Sequence, residues 1–144
     1  MKVVLDTNAL LVAIPTKSIY RPIMDALIES KFQLVLSNDI LSEYVEVIEQ
    51  KAGALVANNI AEMLLNLEDL NKVEIYFEWQ LIKKDPDDNK FVDAAIVGGA
   101  DFIVTNDQHF NTLKMVEFPK VKVISVNEFL DLIRSLNSSA GLTR

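Results

Sequence analysis

Residues 85–110, DPDDNKFVDAAIVGGADFIVTNDQHF, decide how this chain is read. A turn-rich acidic connection, Asp85 to Asn89, gives way to Phe91–Val97 (FVDAAIV), which is apolar nearly all round. Gly98 and Gly99 follow, and then the short run Asp101–Thr105 (DFIVT). A helix that is hydrophobic on almost every side belongs in an interior. A glycine behind it is the ordinary left-handed helix stop, and an apolar run without clean alternation fits a strand covered on both faces. The order is buried helix, stop, buried strand.

The same grammar extends outward in both directions. Further strand-like runs stand at Lys2–Leu5 (KVVL), Gln33–Leu36 (QLVL), Val73–Phe77 (VEIYF) and Val121–Ser125 (VKVIS). Helical spacing governs Ile19–Ser30, Asp39–Gln50, Ala54–Leu70 and Val126–Leu136. In Asp39–Gln50 the stripe is Ile40, Leu41, Tyr44, Val45 and Ile48, with Ser37 or Asn38 available as N-cap. Two helices therefore fall between the second and third strands. Alternating strands and helices predict right-handed βαβ units in an α/β fold, a three-layer α/β/α sandwich around a central, mainly parallel five-stranded sheet. Residues 1–136 read as a single domain, and 137–144 (NSSAGLTR) has the composition of a frayed tail.

Composition narrows the chemistry. At 144 residues, half of them hydrophobic, the chain can bury one sizeable core. It has no cysteine, which excludes disulfides and thiolate-held zinc and suits a reducing cytoplasmic setting. Its one histidine, His109, leaves little material for a Ser-His-Asp or Cys-His mechanism and reads as a surface or packing residue. The opening MKVVLDTN turns polar too soon for a secretory or membrane segment. A net charge of −7 argues against a globally basic nucleic-acid surface, so any such contact would come from local cations and a bound metal. Candidates are Arg21, Lys83, Lys84, Lys90 and Lys114, each of which also fits a solvated surface charge.

In a parallel sheet the C-terminal ends of the strands and the N-termini of the following helices share one edge, where α/β proteins bind ligands. Four acids are expected there: Asp6 at the end of the first strand, Glu43 early in the helix after the second, Asp93 in the helix before the fourth, and Asp107 after the fourth. Asp93 is the most informative, since a carboxylate inside an apolar helix costs several kcal/mol unless it is paired or holds a cation. The other reading for Asp93 is an acid answering the helix dipole or an unseen basic partner. Asp6 and Asp107 each also fit a plain N-cap, and Glu43 a solvent-facing glutamate. Thr7, Asn8, Thr105 and Asn106 are polar neighbours suited to orienting a carboxylate, a water or a phosphate, or to capping. Asp88 is favoured as the N-cap of the helix from Asn89, while Asp85 and Asp87 stay open as further ligands.

Taken in order, VVLDTNALL, SNDILSEYVEVI and DPDDNKFVDAAIVGGADFIVTNDQHF resemble a PIN domain over Lys2 to Phe129, and in particular its branch of toxins related to the VapC type. The resemblance implies a metal-dependent endoribonuclease leaving 5′-phosphate and 3′-hydroxyl ends. Its acidic site would be Asp6, Glu43, Asp93 and Asp107, with Asn8 and Thr105 beside them. It also implies a homodimer and a small antitoxin partner. Oxygen ligands of this kind select Mg²⁺ or Mn²⁺. A competing reading is a catalytically silent domain of the same fold that binds RNA or protein.

Overall fold

The computed structural model describes residues 1–75, 88–110 and 121–142, with side chains up to residue 138. Five strands, β1 (Lys2–Leu5), β2 (Gln33–Leu36), β3 (Asn71–Lys72), β4 (Phe102–Val104) and β5 (Val123–Ile124), form one sheet in the order β3-β2-β1-β4-β5, every neighbouring pair parallel. The helices are α1 (Thr7–Ala13), α2 (Arg21–Ile28), α3 (Asn38–Ala52), α4 (Ala54–Leu65), α5 (Asn89–Gly98) and α6 (Val126–Leu142). They flank the sheet as the expected α/β/α sandwich. None of them is long and apolar enough to cross a membrane among the described residues.

The strands are buried because helices cover both faces. Val3, Val4, Leu5, Leu34, Val35, Leu36, Ile103 and Val104 are all at 0 % exposure. Helix α5 packs on β1, β2 and β4, and its Phe91, Val92, Ala94 and Ala95 are buried, as an all-apolar helix requires. Phe32, just ahead of β2, meets Phe129 of α6 edge-on with ring centroids 5.1 Å apart, tying the last helix to the sheet.

Local signals explain where the elements stop. Ser37 caps α3, its hydroxyl accepting from the Ile40 amide at 3.2 Å. Gly99 ends α5 in the left-handed region at φ 62°, the stop expected from the glycine pair. Helix α4 ends at Leu65 rather than Leu70: the Asn66 amide is shared between the Glu62 and Met63 carbonyls at 3.2 Å, its side chain adds a bond to the Glu62 carbonyl at 2.7 Å, and the Leu67 amide turns to the Leu64 carbonyl at 3.3 Å, tightening the last turn.

The third strand differs most from expectation. It is Asn71–Lys72 rather than Val73–Phe77, since the Val35–Asn71 and Leu36–Lys72 register uses up the end of β2, and β2 stops where α3 begins. Val73 still donates to the Leu36 carbonyl at 2.8 Å, while Tyr76 and Phe77 lie outside the described residues. Helix α6 runs to Leu142, past its expected end at Leu136 and into the segment expected to be frayed.

Candidate metal and active site

The chain turns back at β1: β2 and β3 lie on one side, β4 and β5 on the other. Such a switch point opens a crevice beyond the strand ends, where α/β folds place ligands. Two backbone bonds carry the ladder past the strands to the functional residues. The Asp6 amide donates to the Val104 carbonyl at 3.0 Å, and the Thr105 amide donates to the Ile124 carbonyl at 2.9 Å. Asp6 and Thr105 are thereby set side by side at the C-terminal ends of β1 and β4.

Asp6, 8 % exposed, is held by both oxygens. Its Oδ1 accepts the Thr7 amide at 2.7 Å, which makes it the N-cap of α1, and its Oδ2 accepts the Thr105 hydroxyl at 2.7 Å. The Thr105 oxygen in turn accepts the Asp107 amide at 2.9 Å. The Thr7 hydroxyl donates to Glu43 Oε2, while Glu43 Oε1 meets the Lys90 ammonium at 2.9 Å. Two threonines thus fasten Glu43, Asp6 and Asp107 into one chain of contacts. The cap and ligand readings of Asp6 are compatible, because capping occupies one lone pair and leaves others.

Tyr44, the residue after Glu43, is fully buried and donates to the Leu5 carbonyl at 2.6 Å. It locks the end of β1 immediately before Asp6. Burial drives the Tyr44 phenol well above its ordinary pKa, and the negative charges of Asp6 and Glu43 push in the same direction, so it stays a neutral donor. Burial also raises Asp6 above the usual carboxylate range; the hydrogen bonds from Thr105 and Thr7 oppose this, and the charges of Glu43 and Asp107 add to it. A cation at this edge would relieve both burial and like-charge repulsion.

Asp93 lies on α5 at 4 % exposure, as its apolar surroundings in sequence imply. The same helix brings Asp88 and Lys90 to this edge. Phe91 of α5 meets Phe110 edge-on at 6.4 Å, holding the turn over 108–110 against the helix. The His109 amide donates to Asp107 Oδ1 at 2.9 Å, and its Nδ1 stands 3.4 Å from that oxygen and 3.6 Å from Asp88 Oδ2. Ligand atoms of Asp88, Asp107 and His109 all lie within 4.8 Å of one another, close enough to share an ion. This donor set of carboxylate oxygens and one imidazole fits a divalent cation.

The residues expected at the site take the following places. Of the four acids expected as ligands, only Asp107 belongs to that closely spaced group among the described residues. His109, expected as a surface or packing residue, lies beside two carboxylates, tied to Asp107 by its own amide; its position two residues after Asp107 was the available signal. Asp88 holds the N-cap position of α5, but its side chain makes no capping hydrogen bond. Asn106 uses its side-chain oxygen to accept the Val126 amide at 3.1 Å, so it secures the start of α6. Asn8 is exposed. Arg21 pairs with Asp25 at 3.0 Å within its own helix. Asp85, Asp87, Lys83, Lys84 and Lys114 lie outside the described residues.

Solved structures share this architecture. VapBC2 from Rickettsia felis, bound to a DNA fragment from its promoter, aligns with a TM-score of 0.60 and 16 % identity over 87 % of this chain and 98 % of that one. DNA-bound VapBC from Salmonella typhimurium aligns with a TM-score of 0.57 and 18 % identity over 88 % and 98 %. The PIN domain endonuclease Utp24 aligns with a TM-score of 0.50 and 18 % identity over 86 % and 84 %. Among curated proteins, none matches the chain in sequence. At these identities the structural likeness shows the fold. The PIN domain family model, however, matches residues 2–109, most of the chain and every residue of the site just described, so the chain belongs to the PIN domain family.

Proposed function

We propose that this protein is a divalent-metal-dependent endoribonuclease and the toxin component of a toxin–antitoxin pair. The observation that carries the reading is Asp6: a buried carboxylate at the β1/β4 switch point, fastened through Thr7 and Thr105 to Glu43 and Asp107. Family membership supports nuclease chemistry, and likeness to the two VapBC structures supports the toxin role. Asp6, Glu43, Asp93 and Asp107 are the acids proposed to serve the metal, with Asn8 and Thr105 in support.

A bound Mg²⁺ or Mn²⁺ would supply a nucleophilic hydroxide at neutral pH and polarise the scissile phosphate. The chain's own part is to hold the acids in place. Tyr44 fixes the end of β1, Thr105 sets the Asp6 carboxylate and the Asp107 amide together, and Thr7 sets Glu43. A small antitoxin laying a helix on the domain and a second copy of the chain are the proposed partners, with the cytoplasm as the setting.

The test is cleavage of a mixed pool of structured and single-stranded RNAs in EDTA, Mg²⁺ or Mn²⁺, alongside Asp93→Asn. Metal-restored cutting that falls at least about a hundredfold in the variant is the expected outcome, a loss typical of removing a group that stabilises the transition state. Equal metal-dependent cutting by Asp93→Asn would refute the site, and metal binding without cutting would favour a silent binding module.

A further inference from the structure

Glu43 has a donor on each carboxylate oxygen: the Thr7 hydroxyl on Oε2 and the Lys90 ammonium, 2.9 Å away, on Oε1. A lysine–glutamate pair in open solvent would mean little. Here the Lys90 and Glu43 side chains are only 20 % and 25 % exposed, so solvent and salt screen the pair weakly. Lys90 is also fixed from below: it lies in the first turn of α5, next to the fully buried Phe91 and Val92, and its ammonium stands 5.9 Å from the centre of the Phe91 ring.

We propose that the Lys90 ammonium is a resident cation of the site, holding the place beside Glu43 that a second divalent ion would otherwise take, so that each chain takes one divalent ion rather than two. The inference rests on the metal-dependent reading above. A divalent ion at Glu43 would have to displace the ammonium from Oε1 and then remain beside a positive charge that the helix keeps at this edge. The remaining acids, Asp6, Asp93 and Asp107, are left to hold the one ion, with ligand atoms of Asp88 and His109 within 4.8 Å of that of Asp107, while Glu43, kept by Lys90, serves the site through its Thr7 link to Asp6. Lys90 is therefore a positioning residue: it neutralises Glu43 and sets the number of ions.

Titration with Mn²⁺, read by the disappearance of the free-ion electron paramagnetic resonance signal, tests this without reference to cleavage. One ion per wild-type chain and per K90R chain, and two per chain in K90M and K90Q, is the expected result. Two neutral variants guard against one that fails to fold, which circular dichroism would reveal. Two ions in the wild type, or a single ion in a folded neutral variant, would overturn the proposal while leaving the nuclease reading in place. A wild-type chain that binds no Mn²⁺ would instead overturn the metal-dependent reading and this inference with it.

Discussion

Asp6 must be ionised to hold a cation, yet burial favours its neutral form. Without metal, the folded chain keeps this proton to a higher pH than the unfolded chain, whose aspartate titrates near about 3.9. The native state then binds more protons than the unfolded state, so the contribution to stability is fully present below that value and is lost as pH rises through the elevated folded pKa. In EDTA, Asp6→Asn should therefore raise the thermal midpoint at pH 7 and flatten its decline above about pH 4; an unchanged pH profile would contradict the assigned burial. Thr105 is the other residue on which the site turns. Thr105→Val keeps the shape but removes the hydroxyl that donates to Asp6 and accepts from the Asp107 amide. It should cost about 1–3 kcal/mol in urea unfolding, the range for buried polar groups left unpaired.

At the scale of elements, the glycine pair after α5 does two separate jobs. Gly99 adopts the left-handed conformation that ends the helix, with open space where a Cβ would go, so Gly99→Ala should cost about 1 kcal/mol from backbone strain alone. Gly98 is helical and serves packing. A Cβ there would sit 2.7 Å from Val35 Cγ1 and 3.3 Å from Cγ2, against strand β2. Gly98→Ala should cost about 1–3 kcal/mol as overpacking, despite the helix propensity that alanine adds. Chemical denaturation of the two variants separates these causes: if Gly98→Ala is the milder, α5 does not approach the sheet as closely as described. The close approach matters because α5 carries Lys90 and, at its N-cap, Asp88 to the site.

For the whole molecule, the acidic edge concentrates negative charge in a chain whose net charge is already −7. Binding a divalent ion at this edge should stabilise the fold by mass action, by about 2.7 kcal/mol at a hundredfold excess over Kd, or roughly 5–10 °C in Tm. Differential scanning calorimetry with Mn²⁺ against EDTA measures it directly, and no shift at saturating Mn²⁺ would contradict a native-state site. The same stabilisation should be smaller in Asp107→Asn, since Asp107 belongs both to the Asp6–Thr105 chain of contacts and to the Asp88–His109 group.

The sequence by itself determined the α/β class, the parallel sheet and the burial of Asp93. Each follows from local pattern: unbroken Val/Ile runs need cover on both faces, and an apolar helix carries its one acid inward with it. It also placed Asp6 and Asp107 at strand ends, since residues just past a parallel strand can only lie on that edge. What it left open were matters of register and side-chain reach. The shortness of β3 follows from where β2 stops, and nothing within Val73–Phe77 records that. That Glu43 pairs with Lys90 rather than facing water, and that His109 turns toward Asp88 and Asp107, depends on how closely α3, α5 and the turn over 108–110 approach one another. That approach is fixed by Gly98 on Val35 and Phe91 on Phe110, contacts between residues separated in sequence by whole elements. Only the tertiary structure brings such pairs together, and so it alone decided which polar groups share the site.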